Sequence, residues 1–181
     1  MDMGFLHEQQ TGPSRAGPLM VSRRSFWKPV LIAAAVAVFI GVLGGTLTDT
    51  GIWYQSLLKP SWQPPDWLFG PAWTLIFALA TASAVHAWRH AESRVQRDWV
   101  IGLFALNGCL NVLWSTLFFA LRRPDWALIE VVFLWLSILL PIVVFWRFAR
   151  PASLYLVPYL LWVSFAAFLN LAVVRLNWPF V

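Results

Sequence analysis

The chain has few charged residues. Asp, Glu, Lys and Arg make up 12% of its 181 residues, whereas 60% are hydrophobic. The charges occur in short clusters between long uncharged tracts. A soluble domain of this length would alternate apolar and polar residues at a helical or strand period, but here whole stretches are apolar on every face. The scarcity of charge argues against a soluble globular fold and indicates a membrane protein.

Cysteine and catalytic motifs are scarce as well. The single cysteine, Cys109, can form no intramolecular disulfide and indicates no redox compartment. The sequence has no Ser/His/Asp order, phosphate-binding glycine loop or paired carboxylates, which argues against hydrolysis and phosphoryl transfer. His86 lies beside Arg89 and His90, and we interpret it as an interfacial residue rather than a haem ligand. We therefore expect no metal and no obligatory cofactor.

Five long apolar stretches are present instead. Each has about the 20 residues that cross a bilayer core of ~30 Å. Their length and lack of alternation exclude barrel strands, because unpaired backbone groups in lipid allow only helices or closed barrels. They predict an all-α membrane protein, a single bundle of five transmembrane helices with a long Pro/Trp-rich loop after the first. The stretches are residues 30–48, 68–88, 99–121, 126–146 and 152–174.

The flanking segments predict the domain organisation and topology. We interpret residues 1–27 as a mobile tail rather than a signal peptide, because the apolar run that follows is long and ends in Asp49, and residues 28–181 as one domain. Five spans place nine basic residues on the face of the N-terminus and four on the other. Basic residues are retained in the cytoplasm. We expect a multi-pass protein with a cytoplasmic N-terminus if the host is a bacterial inner membrane, and no nucleic-acid partner.

The loop between the first two stretches is the longest of the chain. Residues 49–67 read DTGIWYQSLLKPSWQPPDW, with aromatic residues interleaved with Pro60, Pro64 and Pro65. Prolines fix φ and reduce the entropy lost on ordering, so one interpretation is a defined lid. The other is an interfacial segment whose aromatic rings rest among the lipid headgroups. Composition alone does not decide between them.

Thirteen tryptophans are present. Six lie at predicted span ends, where a membrane-interface belt explains them: Trp27, Trp88, Trp99, Trp126, Trp146 and Trp178. Four lie inside the predicted helices, where an indole N–H needs a partner from the protein or a ligand. For any one of them, packing between helices is as good an explanation as a binding site. The four are Trp73, Trp114, Trp135 and Trp162.

Polar and small residues stand beside three of these tryptophans at helical spacing. Such stripes could serve only as helix–helix contacts. Large flat rings beside them favour a pocket, and the inferred ligand is planar and apolar with a few polar atoms. The stripes are Trp73, Phe77 and Thr81 on the second stretch, Asn107, Asn111, Trp114 and Ser115 on the third, and Trp162, Ala166 and Asn170 on the fifth.

Two further features carry weaker signals. Glu130 is about one turn inside the fourth stretch, and we expect its carboxylate to snorkel to the interface rather than to act in a proton relay. Gly41 and Gly45 form a GxxxG pattern in the first stretch, which indicates a close-packing or dimer face, although the pattern is common in membrane helices.

Three motifs resemble those of the TspO/translocator protein family, also called tryptophan-rich sensory proteins or peripheral benzodiazepine receptors. The strongest is WYQSLLKPSWQPPDWLFGPAWTLIF, from Trp53 to Phe77, followed by LNVLWSTLFF from Leu110 and PYLLWVSFAAFLN from Pro158. The resemblance covers about residues 30–177. It implies a five-helix fold, usually a homodimer, that binds porphyrins and other tetrapyrroles, sterols in animals, and synthetic isoquinolines. It also implies a ligand pocket beneath the first loop.

The residues that the motifs assign to this pocket largely coincide with the stripes. In some bacterial members, light-dependent porphyrin breakdown has been attributed to two pocket tryptophans, which correspond here to Trp73 and Trp162. These two would be catalytic only if the chain is an enzyme. Carried over by motif, the ligand-binding residues are Gly44, Tyr54, Pro64, Trp73, Phe77, Asn111, Trp114, Ser115, Trp162 and Ala166.

The chain departs from the family pattern at three points. Asn107 stands where Gln is usual, and Phe77 replaces the usual Tyr, which removes one hydroxyl. The fifth stretch also lacks a cholesterol pattern, because neither Tyr155 nor Tyr159 has a basic residue within five positions downstream. This absence lowers the expectation of a sterol role.

We expect an integral membrane protein that binds a porphyrin or haem-type ligand and acts in sensing or regulation, with any transport following from binding. One alternative is an enzyme that degrades porphyrin in the light. Another is a structural or partner-regulating membrane protein with an incidental pocket. The expected partners are the tetrapyrrole, the bilayer and a second copy of the chain.

Overall fold

The computed structural model describes residues 24–180, with side chains from Trp27 onward. Five helices are long and apolar enough to cross a membrane, as predicted. Two short helices lie in the loop after the first, and the described residues contain no strand. The helices are α1 (Arg24–Leu47), α2 (Ile52–Ser56), a 3-10 turn (Asp66–Leu68), α3 (Phe69–His90), α4 (Arg94–Ser115), a π turn (Thr116–Ala120), α5 (Pro124–Trp146) and α6 (Arg150–Asn177).

The bounds differ from the prediction at the helix ends. α1 begins at Arg24, within the segment interpreted as a tail, and residues 1–23 of that segment lie outside the described residues. α4 begins at Arg94 rather than 99, because Ser93 caps it: Ser93 Oγ accepts a hydrogen bond from the Gln96 amide at 3.1 Å. Hydropathy marks only the part of a helix that crosses lipid, so capped polar turns beyond it are missed.

The core lies between α3, α4, α5 and α6. Phe145, Ile138 and Leu156 are fully buried there, and α5 and α6 form the most extensive helix pair. Several interhelical hydrogen bonds join these helices. In two of them Ser83 Oγ donates to the Ala152 carbonyl at 2.7 Å, and Asn107 Nδ2 donates to Ser137 Oγ at 2.8 Å.

α1 lies at the edge of this bundle. It contacts α3 and α4, and none of its described side chains is buried. Gly108 of α4 permits the close approach of α1, since a Cβ there would overlap the Ile40 side chain. The edge position leaves an apolar face of α1 exposed, as lipid contact requires, and leaves space between α1 and the core helices.

The two ends of the bundle differ. At the end that we call the lid end, the loop of residues 48–68 meets the C-terminus of α6 and the turn between α4 and α5. At the opposite end, loops of three residues join α3 to α4 and α5 to α6. Within residues 24–180, the lid end therefore carries most of the irregular chain.

Candidate ligand-binding site

A cavity of about 960 Å³ lies inside the lid end of the bundle. Residues of α1, α3, α4 and α6 line it together with the loop, whereas no residue of α5 does so. Its volume is in the range of small-molecule sites, roughly 300–1,000 Å³. The α1 wall consists mostly of small residues, with two valines among them: Ala34, Ala37, Val38, Gly41, Val42, Gly44 and Gly45.

Aromatic rings form much of the opposite wall. Trp73 stacks on Phe77 one turn along α3, with ring centroids 5.5 Å apart and planes inclined by 28°. Trp162 of α6 meets Phe69 edge to face at 5.7 Å. Trp114 of α4 stacks on Phe118 at 5.1 Å. These contacts hold the indoles in fixed orientations, so the cavity offers preformed flat surfaces.

Hydrogen-bonding groups occupy the α4 face of the cavity. Asn111 and Ser115 are buried, and Asn111 Nδ2 donates to the Tyr159 hydroxyl at 3.1 Å. Gly44 packs next to both: a Cβ there would be in van der Waals contact with Ser115 Oγ at 3.9 Å and with Asn111 Oδ1 at 4.0 Å. The glycine therefore keeps α1 close while leaving these polar atoms accessible from the cavity.

The π turn shapes the end of α4. Its Leu121 amide donates to the Thr116 carbonyl, five residues back, at 2.8 Å. This inserts an extra residue into the helical repeat and directs both Phe118 and Phe119 to the cavity. Such π segments occur often at functional sites. The turn then closes at Arg122, which has a positive φ of 54°.

The loop forms an ordered lid over the cavity. The Tyr54 hydroxyl donates to Asp66 Oδ1 at 3.2 Å, and Gln63 Nε2 donates to the same oxygen at 3.2 Å. Lys59 Nζ lies 3.6 Å from the Tyr54 ring centroid and 4.0 Å from Asp66 Oδ2. Burial, reinforced by the charge of Asp66, raises the pKa of Tyr54 to about 12. We call Tyr54, Lys59, Gln63 and Asp66 the lid cluster.

Contacts with α6 hold the lid in place. Asn177 Oδ1 accepts from the Leu58 amide at 2.8 Å, and its Nδ2 donates to the Leu58 carbonyl at 2.9 Å. Trp62 meets Phe165 edge to face at 6.0 Å. The structure thus favours the defined lid, while the exposed Ile52 (93%) and Trp67 (72%) fit the interfacial interpretation for part of the same loop.

The position of Glu130 differs from the expectation that its carboxylate snorkels to the interface. Its side chain does not snorkel but is buried, with 6% of its surface exposed, because α5 at this level packs against α4 and α6. Within residues 24–180, neither carboxyl oxygen has a hydrogen-bond partner, and the buried Trp114 Nε1 also lacks one. α4 and α5 run antiparallel, and the hydrogen bond between Asn107 and Ser137 sets their register. Trp114 lies seven residues after Asn107 and Glu130 seven before Ser137, so the two lie at the same level of the α4–α5 interface.

Nine of the ten residues predicted for the pocket line this cavity, and Pro64 does not. Thr81 and Asn170 from the stripes line it too. Two other residues singled out in the sequence join helices instead of lining the cavity. Asn107 donates a hydrogen bond to Ser137, and Trp135 Nε1 donates to Ser164 Oγ at 2.8 Å. That the lining residues bind a ligand stays a prediction.

Sequence reasoning found Gly44 but missed the rest of the α1 wall, and it missed the polar part of the lid apart from Tyr54. Gly41 and Gly45 were interpreted as a packing or dimer face, yet both line the cavity. The signal was present, because small residues recur every three or four positions from Ala34 to Gly45. Nothing in the sequence singled out Lys59, Gln63 and Asp66 as a cluster, since the loop backbone brings them together.

Comparisons with known proteins agree with this architecture. The sequence model of the TspO/MBR family matches residues 32–176. The chain is 39% identical to the tryptophan-rich protein TspO of Chlorobaculum tepidum over 81% of this chain and 94% of that protein. It is 34% identical to the tryptophan-rich sensory protein of Cereibacter sphaeroides (74% and 82%), and 30% identical to the human translocator protein (83% and 91%). The chain therefore belongs to the TspO/MBR family.

Proposed function

We propose that the protein binds a tetrapyrrole of the porphyrin or haem type in this cavity and acts as a membrane sensor or regulator, with any transport following from binding. The observation that carries the proposal is the cavity itself: an apolar space walled by indole faces, with a few hydrogen-bonding groups, beneath an ordered lid. A planar macrocycle matches such a space because it presents two apolar faces and only a few polar atoms at its edge.

The polar groups suit the edge of such a ligand. Lys59 lines the cavity at the lid and provides a cation for peripheral carboxylates. Asn111 and Ser115 lie deeper and supply neutral donors and acceptors. The described residues contain no group of three or more His, Cys, Asp or Glu that could hold a metal ion. The support for the proposal is the fit of the cavity to the macrocycle. The sensory part is supported by the name of the Cereibacter sphaeroides relative.

Titration of the purified protein in lipid nanodiscs with protoporphyrin IX tests the proposal. We expect saturable quenching of tryptophan fluorescence, because several indoles would lie against the ligand. Ala166→Phe fills the cavity and should weaken binding at least roughly tenfold. Ala35→Phe is the matched control, since Ala35 is exposed on α1 and does not line the cavity. Haem and a sterol titrated in parallel define the ligand class.

Two results would overturn the proposal. One is quenching that does not saturate. The other is an equal effect of Ala166→Phe and Ala35→Phe, which would place the porphyrin at the lipid-facing surface rather than in the cavity.

A light-dependent porphyrin-degrading enzyme is the second candidate, because Trp73 and Trp162 both line the same cavity. If this activity exists, illuminated protoporphyrin is lost faster with protein than without it. Trp162→Phe should then abolish the gain while leaving binding intact. Unchanged degradation by a variant that binds normally would exclude the catalytic role of Trp162.

The homodimer, the cytoplasmic N-terminus and a bacterial membrane stay predictions. Their test is cross-linking in native membranes, together with reporter fusions at each terminus. We expect a cross-linked pair of identical chains and termini on opposite sides of the membrane, as an odd number of spans requires.

A further inference from the structure

A second, smaller cavity of about 340 Å³ lies toward the opposite end of α3. Val30 of α1 and Tyr155 of α6 border it on two sides. Ala78 and Thr81 line both cavities, so the two are neighbours along one face of α3. The α3 residues of the second cavity are Ala78, Thr81, Ala82, Val85, His86 and Arg89.

One end of this cavity is cationic and rich in donors. His86 stacks on His90 with ring centroids 4.2 Å apart and meets Tyr155 edge to face at 6.2 Å. His90 Nδ1 lies 2.8 Å from the His86 carbonyl oxygen, which fixes the two rings relative to each other. Arg89 follows on the last turn of α3 and is exposed. This turn ends the span, so the group lies at the membrane–water interface.

The other end of the cavity is apolar. Val30, Val85 and Ala82 line it, and Ala78 continues the strip toward the middle of the span. Ala78 and Ala82 are exposed on the outside of the bundle, which the lipid tails surround. The cavity therefore combines an interfacial cationic end with a groove of small apolar residues that runs into the bilayer.

We propose that this cavity binds one anionic phospholipid of the surrounding bilayer. The headgroup phosphate accepts hydrogen bonds from Arg89, His86 and the Tyr155 hydroxyl. One acyl chain lies against Val30, Ala78 and Val85. A guanidinium donates two parallel hydrogen bonds to a phosphate, and basic pockets between transmembrane helices bind anionic headgroups for this reason.

Charge and shape select this occupant over two others. A zwitterionic lipid brings the same phosphate, but its ammonium group adds a cation next to Arg89. Free phosphate fits the cationic end but leaves the apolar groove without contacts. The fixed charges nearest in sequence on the adjoining elements are Lys28 on α1, Glu92 in the following loop, Arg94, Arg97 and Asp98 on α4, and Arg150 on α6. The cations among them favour a net anionic headgroup.

The site does not depend on the proposed tetrapyrrole function. If the large cavity binds a porphyrin and the small one a lipid, the acyl chain and the porphyrin meet at Thr81, which lines both cavities. An anionic lipid would then change porphyrin affinity in nanodiscs, and the variants below would remove that difference.

Native mass spectrometry of the detergent-purified chain tests the lipid site with dioleoyl phosphatidylglycerol, dioleoyl phosphatidylcholine and inorganic phosphate as separate probes. We expect one phosphatidylglycerol per chain to survive activation that removes phosphatidylcholine. Arg89→Gln should lower its retention roughly tenfold, the size expected for a charge-assisted hydrogen bond. Arg147→Gln is the matched control, because it removes the same charge from an exposed position at the same end, outside the cavity.

A second variant probes the groove without changing charge. Ala82→Trp fills the apolar part and should also lower phosphatidylglycerol retention, whether or not Arg89→Gln folds. Equal retention of the two lipids, or equal losses for Arg89→Gln and Arg147→Gln, would overturn the proposal in favour of unspecific surface attraction. Displacement of the lipid by inorganic phosphate, with no effect of Ala82→Trp, would overturn it in favour of a free-anion site.

Discussion

At the scale of single residues, the four internal tryptophans divide into two classes. Trp73, Trp114 and Trp162 line the cavity, whereas Trp135 bonds Ser164 and joins α5 to α6. Helical spacing separates the two classes, since stripes of polar and small residues accompany the first three tryptophans only. It failed for Asn107, which lies on the same stripe as Asn111 but bonds Ser137. Periodicity defines a face, and the neighbouring helix decides what each part of that face contacts.

Glu130 is the residue with the clearest expected effect on stability. It is buried, and within residues 24–180 its carboxyl oxygens have no hydrogen-bond partner. Removing a buried polar group that has no partner relieves its desolvation cost. We expect Glu130→Leu to raise the free energy of unfolding by about 1–3 kcal/mol, measured by thermal unfolding in detergent.

Glu92→Leu serves as the comparison for Glu130→Leu, because Glu92 is exposed in the loop between α3 and α4. It should leave the unfolding temperature nearly unchanged. If Glu130→Leu is less stable than the parent protein, the carboxyl group has a stabilising partner, and the description of Glu130 as buried without one is wrong.

At the scale of elements, the lid shows how a loop gains a defined conformation. Its prolines predicted restricted backbone, but its position comes from the lid cluster and from Asn177, which lies 119 residues beyond Leu58. Asn177 belongs to the last turn of α6. No local pattern relates these two residues, so the lid contact could be found only in the structure.

The lid should respond to alkaline pH. The Tyr54 phenol has a pKa near 10 when exposed and about 12 in the folded protein. A raised pKa means that folding favours the protonated form, so the contribution of Tyr54 is complete below pH 10 and is lost as pH rises to about 12. A fluorophore on Ser61→Cys, in a Cys109→Ser background, should report rising lid mobility by anisotropy over that interval.

Tyr54→Phe provides the test of this assignment. It removes the hydroxyl that donates to Asp66 while keeping the ring beneath Lys59. We expect greater lid mobility at neutral pH and a smaller change between pH 10 and 12 than in the parent protein. If the parent protein and Tyr54→Phe show the same alkaline transition, a group other than Tyr54 causes it.

At the scale of the whole molecule, the position of α1 decides where the cavity lies. α3, α4, α5 and α6 form the core, and α1 covers it from the edge through small residues. The described part of α1 contains no buried side chain, whereas α5 is well buried and does not line the cavity. We expect α1 to open more easily than the other long helices.

Hydrogen exchange with mass detection measures this difference. Peptides from α1 should exchange faster than those from α5 in the protein without ligand. Protoporphyrin should slow exchange in α1 and leave α5 nearly unchanged, because α1 borders the cavity and α5 does not. Equal protection of both helices by the ligand would indicate global stabilisation and contradict a cavity bounded by α1.

The sequence by itself determined that five long helices cross the membrane, because lipid allows no other structure for apolar stretches of that length. It also determined the family, through motifs whose order and spacing need no structure to be recognised. The tertiary structure alone decided that α1 is the edge helix and that Glu130 is buried. It also decided that Lys59, Gln63 and Asp66 meet Tyr54 above the cavity. These features depend on which faces of separate elements meet, and hydropathy and periodicity describe each element alone.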